Sequence, residues 1–193
     1  ECVKKCAEIA KKEELYCCLY DEDRWPSGYG GGRVTARKEF RGRNLLITPY
    51  RKGTKVYSER NSDSMASPSP QGNGTFLAAY EIALYPDGTL KSYRRCEEDE
   101  AAKEGHRIWY VYLEIAHDSP WFNGQSYVDT LNPKAIRCFL DSTHKKYEKA
   151  VGELFGKTIP SIFTDEPQFG KKRYLGSADS KEEVMLPYTD DFA

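Results

Sequence analysis

The sequence predicts an α/β fold in which helices alternate with strands on either side of a β-rich middle section. Residues 2–13 have the spacing of a short amphipathic helix and lead into the apolar run 15–20. A second apolar run, 159–163, follows a helical stretch of about twenty residues and is closed by a proline a few residues later. Both runs end on neighbouring carboxylates, at 21–23 and at 165–166. Buried strands that carry acids at their carboxyl ends are typical of β/α-barrel enzymes.

The first element pair is a helix followed by a strand. Cys2 and Cys6 stand at helical spacing beside Ile9, which gives the helix one apolar side. The run 15–20 is continuously apolar and indicates a buried strand, after which the chain enters a polar loop with a glycine cluster at 30–32. Helix, strand and polar loop form half of a βαβ unit.

The middle of the chain, 37–120, has a different character. It contains three β-type runs, at 44–48, 77–85 and 107–116. Residues 85–89 predict a hairpin turn with Gly88 at the position that requires positive φ. Residues 58–75 are rich in Ser, Pro, Gly and Asn and predict a mobile loop.

A pattern of strand and helix returns after residue 120. Residues 126–128 predict a short strand that ends at Asp129, and Asn132 before a proline predicts a helix N-cap. A single apolar stripe then predicts one long helix; its members are Ile136, Leu140, Thr143, Tyr147, Val151 and Leu154. Gly156 stands where a helix-ending glycine belongs, and the strand to Glu166 follows.

Composition excludes some classes of partner. The 193 residues carry 29 Lys and Arg against 30 Asp and Glu, a net charge of −1, which argues against nucleic-acid binding through a basic surface. No apolar run reaches the roughly 20 residues of a membrane span, so no membrane partner is expected. The 14 Tyr, 8 Phe and 3 Trp suit stacking on sugar faces and suit an ordinary core equally.

The six cysteines do not form a disulfide pattern. Cys17 and Cys18 are adjacent in a strand-like run, so their side chains point to opposite faces, and buried free thiols are the better interpretation. No C-x-x-C pair occurs and only three His are present, so neither zinc nor another metal or cofactor is predicted. A calcium ion on 21–23 stays a minor alternative, without the ligand spacing of an EF-hand. The glycines 28–32 lack the pattern of a phosphate-binding loop.

Three segments together resemble bacterial glycoside hydrolases of the uncharacterised family-2-like or rhamnosidase-like group: 19–28, 121–129 and 162–167. That resemblance implies a partial (β/α)8 TIM barrel with a β-rich inserted subdomain. Its parts would be a barrel segment at 1–36, the insertion at 37–120 and a barrel segment at 121–193. The chain opens and closes inside predicted elements, so we expect a piece of a longer enzyme, inactive alone and able to pair with itself through exposed strand edges. A cytoplasmic location is favoured over secretion.

The resemblance also implies catalytic residues. The segment 164–167 is similar to the Asn-Glu-Pro strand end of retaining barrel glycosidases, so Glu166 would be the general acid/base. Asp165 stands where those enzymes have Asn, and a second carboxylate there would raise the pKa of Glu166. The nucleophile of such enzymes comes from a later strand, which would lie outside this chain.

Residues expected to contact a carbohydrate substrate lie near the predicted strand ends: Asp21, Glu22, Arg24, Trp25, Trp121, Asn123, Tyr127 and Asp129. Each has a structural alternative. The tryptophans could be core residues or could pack against the insertion, Arg24 could pair with Asp21 or Asp23, and Asn123 with Gly124 could simply form a turn. The alternative function is a non-catalytic carbohydrate-binding or structural module, which would be indifferent to Glu166→Gln.

Overall fold

The chain folds into two units, each built from two separated stretches. The computed structural model describes residues 1–53, 74–116, 118–170, 172–180 and 182–192. We call Glu1–Arg41 with Asp118–Phe169 the helical unit, and Gly42–His117 with Gly170–Ala193 the sheet unit. The loop predicted at 58–75 lies outside the described residues as far as residue 73.

The helical unit contains helices and one short pair of strands. Its elements in chain order are α1 (Cys2–Lys12), β1 (Leu19–Tyr20), α2 (Pro133–Ser142), α3 (His144–Val151) and β6 (Ile162–Phe163). β1 and β6 pair in parallel, with Leu19 opposite Ile162 and Tyr20 opposite Phe163. Helix α1 confirms the amphipathic helix predicted at 2–13. No helix in the described part of the chain has the length and apolar character needed to cross a membrane.

The helix predicted after Asn132 is interrupted. The Asn132 side chain accepts hydrogen bonds from the backbone N–H groups of Lys134 and Ala135, which confirms the predicted N-cap. Thr143 leaves the helical conformation, at φ −124° and ψ −75°, and its hydroxyl donates to the carbonyl of Phe139 at 2.8 Å. The single long helix was therefore a wrong prediction, because the apolar stripe continues through a residue that breaks the backbone ladder.

Two apolar clusters form the core of the helical unit. The first joins α1, β1 and the residues after α3 and contains Ala7, Leu19, Val151, Leu154 and Ile159. The second contains Val34, Phe40, Val128, Ala135 and Phe139, so it fixes α2 against the segments at 34–40 and 128. Both clusters bury side chains from segments that are distant in the sequence.

The sheet unit is a five-stranded antiparallel sheet in the order β4-β3-β5-β2-β7. The strands are β2 (Arg43–Thr48), β3 (Thr75–Leu84), β4 (Leu90–Cys96), β5 (Arg107–Ile115) and β7 (Val184–Tyr188). The hairpin at 85–89 is confirmed: the backbone N–H of Tyr85 donates to Thr89 at 2.8 Å, and Gly88 has φ 84°. The β-rich middle of the chain thus forms most of this sheet, which β7 completes.

The predicted partial (β/α)8 barrel is wrong. Parallel strands in the described residues are limited to β1 and β6, whereas the larger sheet is antiparallel throughout. Leu15 and Tyr16, assigned to a buried strand, are 61% and 81% exposed, and the strand predicted at 126–128 is reduced to a bridge between Arg41 and Val128. Apolar composition indicated strands here, but only the two residues of β1 find a partner strand.

All six cysteines are free, as predicted, but they are not buried. Cys2, Cys6 and Cys18 are exposed, and the other three are partly exposed. The apolar side of α1 is filled instead by Ala7 and Ala10, so the thiols at 2 and 6 lie on its outer surface.

Candidate functional site

The carboxylates singled out in the sequence follow β1 and β6, which run in the same direction and so end on the same side. Backbone hydrogen bonds hold the two following loops together, because Asp21 N donates to the Phe163 carbonyl at 3.2 Å and Ser27 N donates to the Asp165 carbonyl at 2.9 Å. The chain after each strand therefore enters one shared region of the helical unit.

Asp21 is buried and makes structural hydrogen bonds with both loops. Its Oδ1 accepts from the Ser27 hydroxyl at 2.6 Å, and its Oδ2 accepts from the Thr164 hydroxyl at 2.7 Å. The Nε2 atom of His144 lies 2.9 Å from the same Oδ2. Asp21 holds the two loops together, because its two oxygens already bind three protein partners. The sugar-contacting role predicted for it stays a prediction.

Glu22 organises the glycine-rich loop in a comparable way. Its Oε1 accepts from the N–H groups of Asp23 at 2.8 Å and Gly31 at 3.4 Å, and its Oε2 from those of Gly28 at 3.1 Å and Gly30 at 2.7 Å. Burial raises the pKa of the Glu22 carboxyl and a side-chain hydrogen bond with Asp23 adds to this, while the backbone N–H groups act in the opposite direction. Glu22 is thus the anchor of a loop, with its carboxylate turned into the protein.

Asp165 lies at the edge of this network. Its Oδ2 accepts a hydrogen bond from the Tyr20 hydroxyl at 2.9 Å, and its backbone N–H donates to the Ser27 hydroxyl at 2.8 Å. The hydrogen bond to Asp165, with smaller effects of burial and nearby carboxylates, raises the pKa of Tyr20 to about 12. Asp165 is only partly buried.

Glu166 is exposed and carries an unusual backbone conformation. Its φ is +43°, in the left-handed region that a non-glycine residue rarely adopts. The indole Nε1–H of Trp25 donates to its Oε2 at 3.1 Å. Residues held in sparsely populated backbone conformations concentrate at functional sites, so this conformation favours a functional role for Glu166.

Two tryptophans and an arginine continue the surface beyond Glu166. The Trp121 indole Nε1–H donates to the Trp25 carbonyl at 2.6 Å, and Arg24 donates to the Trp121 carbonyl at 2.8 Å. The Arg24 guanidinium also lies 6.0 Å from the centre of the Trp121 ring. Trp25 and Trp121 are 44% and 40% exposed. Neither is therefore a buried core residue, which was the alternative to a sugar contact.

Tyr20 and Phe163 add a second pair of rings, with centroids 5.8 Å apart and exposures of 41% and 58%. We call Tyr20, Trp25, Trp121 and Phe163 the aromatic surface. Hydrogen bonds connect it to both carboxylates, through Tyr20 to Asp165 and through Trp25 to Glu166. Exposed aromatic faces beside carboxylates suit a ligand with apolar faces and polar edges, such as a sugar.

The three other residues predicted to contact a carbohydrate lie outside the aromatic surface. Tyr127 is half-buried; its hydroxyl donates to the Ser27 carbonyl at 2.6 Å and accepts from Gln168 N at 3.2 Å. Asp129 is buried and accepts from Leu131 N at 3.0 Å, within a turn that precedes α2. Asn123 is exposed and ends a short turn with φ +51°, which supports the turn interpretation weighed for it.

Several residues of the site escaped sequence reasoning. Ser27, His144 and Thr164 complete the hydrogen bonds of Asp21, and Tyr20 and Phe163 supply exposed rings. The signal for Tyr20 and Phe163 was their place as last residues of the paired strands. His144 had no signal, since it lies 123 positions from its partner in the sequence.

The described residues contain no group of three or more His, Cys, Asp or Glu side chains arranged to hold a metal ion. Comparisons of the chain with protein-family models, with curated proteins and with solved structures found no match.

Proposed function

We propose that this protein acts on carbohydrates as a glycoside hydrolase, with the aromatic surface as sugar-binding platform and Glu166 as general acid. The observation that carries the proposal is the exposed Glu166 carboxylate, held in a left-handed backbone conformation and contacted by the indole of an exposed tryptophan. The resemblance of the segments 19–28, 121–129 and 162–167 to bacterial glycoside hydrolases agrees with the same assignment.

The proposed chemistry is acid-assisted cleavage of a glycosidic bond. Glu166 donates a proton to the leaving oxygen, so that the departing sugar leaves as a neutral alcohol. The oxygen of a water molecule takes its place at the anomeric carbon, and the proton that this water loses passes to a carboxylate of the site. Glycoside hydrolysis requires a second carboxylate, and Asp165 is the candidate on the same surface, since Asp21 and Glu22 are engaged in internal hydrogen bonds. The Tyr20 hydroxyl and the Ser27 side chain position Asp165 for this role.

The expectation that the chain is inactive alone rested on a partial barrel, which the described residues do not form, so the chain itself is tested. The test is hydrolysis of a panel of aryl glycosides by the wild-type protein and by Glu166→Gln. We expect turnover of at least one glycoside and a loss of about 10²-fold or more in the variant, the typical contribution of a general acid. Sugar affinity should change little, because the amide keeps an acceptor for the Trp25 indole. Glu153→Gln, at an exposed position after α3, is the matched control and should retain activity.

A non-catalytic carbohydrate-binding module is the second candidate, and the exposed rings of the aromatic surface favour it as well. In that case Trp25→Ala and Trp121→Ala should each weaken sugar binding, while Glu166→Gln should leave sugar binding unchanged. Turnover that survives in Glu166→Gln, or no turnover on any glycoside, would contradict the hydrolase.

A further inference from the structure

Strand β4 forms one edge of the five-stranded sheet, where β3 is its only neighbour among the described strands. Within the described residues, no backbone group outside this pair hydrogen-bonds to the backbone of 90–96. Alternate N–H and C=O groups of an edge strand point away from the sheet. Every residue of β4 except Cys96 is exposed, with Leu90 at 53% and Tyr93 at 67%. An edge of this kind can accept a further strand.

The opposite edge of the sheet is protected. Beyond β7, the backbone N–H of Arg173 donates to the Met185 carbonyl at 2.8 Å, and the N–H of Met185 donates back to the Arg173 carbonyl at 3.1 Å. Strand β7 also contains Pro187, which has no N–H to offer a further strand. Strand β4 has no proline, and charged side chains are its protection against unspecific pairing.

These charges on β4 are all positive: Lys91, Arg94 and Arg95. Arg94 is already paired, because its Nε donates to Glu81 Oε2 at 2.9 Å and its Nη2 donates to Glu100 Oε1 at 2.6 Å. Lys91 and Arg95 are exposed and form no ion pair within the described part of the chain. The edge therefore offers two uncompensated positive charges.

Acidic residues follow β4 in the turn 97–100. Glu98 pairs with Arg51 at 2.6 Å, and Glu100 pairs with Arg94. The other two acids of the turn are exposed, and both lie beyond the last residue of the strand. A strand that pairs with β4 meets positive charge along its length and negative charge only past its carboxyl end.

The sheet register adds a third cation beside this edge. Tyr93 lies opposite Ile82 of β3, which lies opposite Arg107 of β5, so the three residues share one face of the sheet. Arg95, two positions after Tyr93, belongs to the same face. The Tyr93 ring contacts that of Tyr80 edge to face, with centroids 6.1 Å apart. Two arginines and an aromatic pair therefore lie on the face next to the free edge.

We propose that β4 binds an extended acidic peptide, which adds a further strand to the sheet and places its carboxylates beside Lys91 and Arg95. Backbone hydrogen bonds supply the affinity, and the charges select the partner. A second copy of this chain fits less well, because antiparallel pairing centred on Tyr93 would put Lys91 opposite a second Arg95, and like charges directly opposite are destabilising. The assignment is independent of the proposed hydrolase, since every residue it uses belongs to the sheet unit.

The experiment measures binding of the acetylated and amidated peptide Glu-Thr-Glu-Val-Glu-Thr-Glu, which has the length of β4 and carries its acids at alternate positions. Amide hydrogen exchange within 90–96 should slow when the peptide binds, because a new strand pair protects the outward N–H groups. The same peptide with Lys in place of Glu, and the acidic peptide methylated on every backbone nitrogen, should each bind at least about tenfold more weakly.

Variants of β4 test the role of charge. Lys91→Glu and Arg95→Glu should each weaken peptide binding by about tenfold, because each replaces an attraction with a repulsion. Both side chains are exposed, so the variants should unfold at the midpoint of the wild type. Arg137→Glu makes the same change of charge at an exposed position of α2 in the helical unit, and this control should bind the peptide normally.

Three results would overturn the proposal. The first is full affinity for the methylated peptide or indifference to both β4 variants. The second is tighter binding of octauridylate than of the acidic peptide, which would assign the arginines and rings to single-stranded nucleic acid. The third is a wild-type dimer in sedimentation whose amides at 90–96 all exchange slowly before peptide is added, which would assign the edge to a second copy.

Discussion

Glu22 shows how a carboxylate that looks functional in the sequence can serve the fold. Four backbone N–H groups of the loop that follows it point at its two oxygens, at 2.7 to 3.4 Å. A chain with several glycines in left-handed conformations has a high entropic cost of ordering. The hydrogen bonds to the Glu22 oxygens offset part of this cost, because they satisfy backbone N–H groups that would otherwise lack an acceptor.

We therefore expect Glu22→Gln to destabilise the protein, by about 2–4 kcal/mol in the free energy of unfolding. The amide has one oxygen and one NH2 group, so two of the four N–H donors would face another donor. Urea unfolding of the variant, beside Glu39→Gln at an exposed position, measures the effect. A loss no larger than that of the control would show that the loop does not depend on this carboxylate.

Helix α2 depends on its first residues. The Asn132 side chain accepts hydrogen bonds from two backbone N–H groups, and Pro133 follows at the first helical position. This arrangement satisfies N–H groups of the first turn that have no partner within the helix. We expect Asn132→Ala to cost about 1 kcal/mol of stability. Lys134→Ala, exposed in the first turn, should change stability much less. Equal unfolding midpoints for the two variants in urea would contradict the assigned cap.

Predictions from the sequence were correct where the structure depends on neighbouring residues and wrong where it depends on distant ones. Asn132 and Gly88 were placed correctly, because a cap and a hairpin turn are decided by a few neighbouring residues. The run 15–20 was assigned to a strand that mostly does not form, because a strand needs a partner that local composition does not specify. Thr143 broke the predicted long helix although it continued the apolar stripe.

The same distinction between local and distant interactions applies to the candidate site. The sequence pointed to the region after the two paired strands, and Trp25 and Glu166 contact each other there. It could not separate the exposed Glu166 from the buried Asp21 and Glu22, since the three have the same chemistry in sequence. Burial and internal donors distinguish them, and both depend on residues far away, such as His144 and Thr164.

At the scale of the whole molecule, stability should fall at both ends of the pH range. The Lys103 backbone N–H and then the Arg94 guanidinium lower the pKa of buried Glu81, so its stabilising effect is present above about pH 4.5 and is lost as the pH falls further. Burial raises the pKa of Tyr127 to about 12, so its effect is present below pH 10 and is lost as the pH rises toward 12.

Unfolding free energies measured across pH for the wild type, Glu81→Gln and Tyr127→Phe test these signs. The first variant should reduce the slope below about pH 4.5, and the second should reduce it between pH 10 and 12. Because Glu22 has a raised pKa and acts in the opposite sense in acid, the acid slope is taken as the difference between wild type and Glu81→Gln. Identical profiles for all three proteins would refute both assignments.

The three tryptophans give this protein two independent fluorescence reporters. Trp109 on β5 is only 2% exposed, so its emission should lie at shorter wavelength and resist collisional quenchers. Trp25 and Trp121, at 44% and 40% exposure, should emit at longer wavelength and be quenched readily. Occupation of the aromatic surface would then alter the long-wavelength emission alone, whereas melting of the β-sheet would shift the short-wavelength component, so one spectrum distinguishes ligand binding from loss of structure.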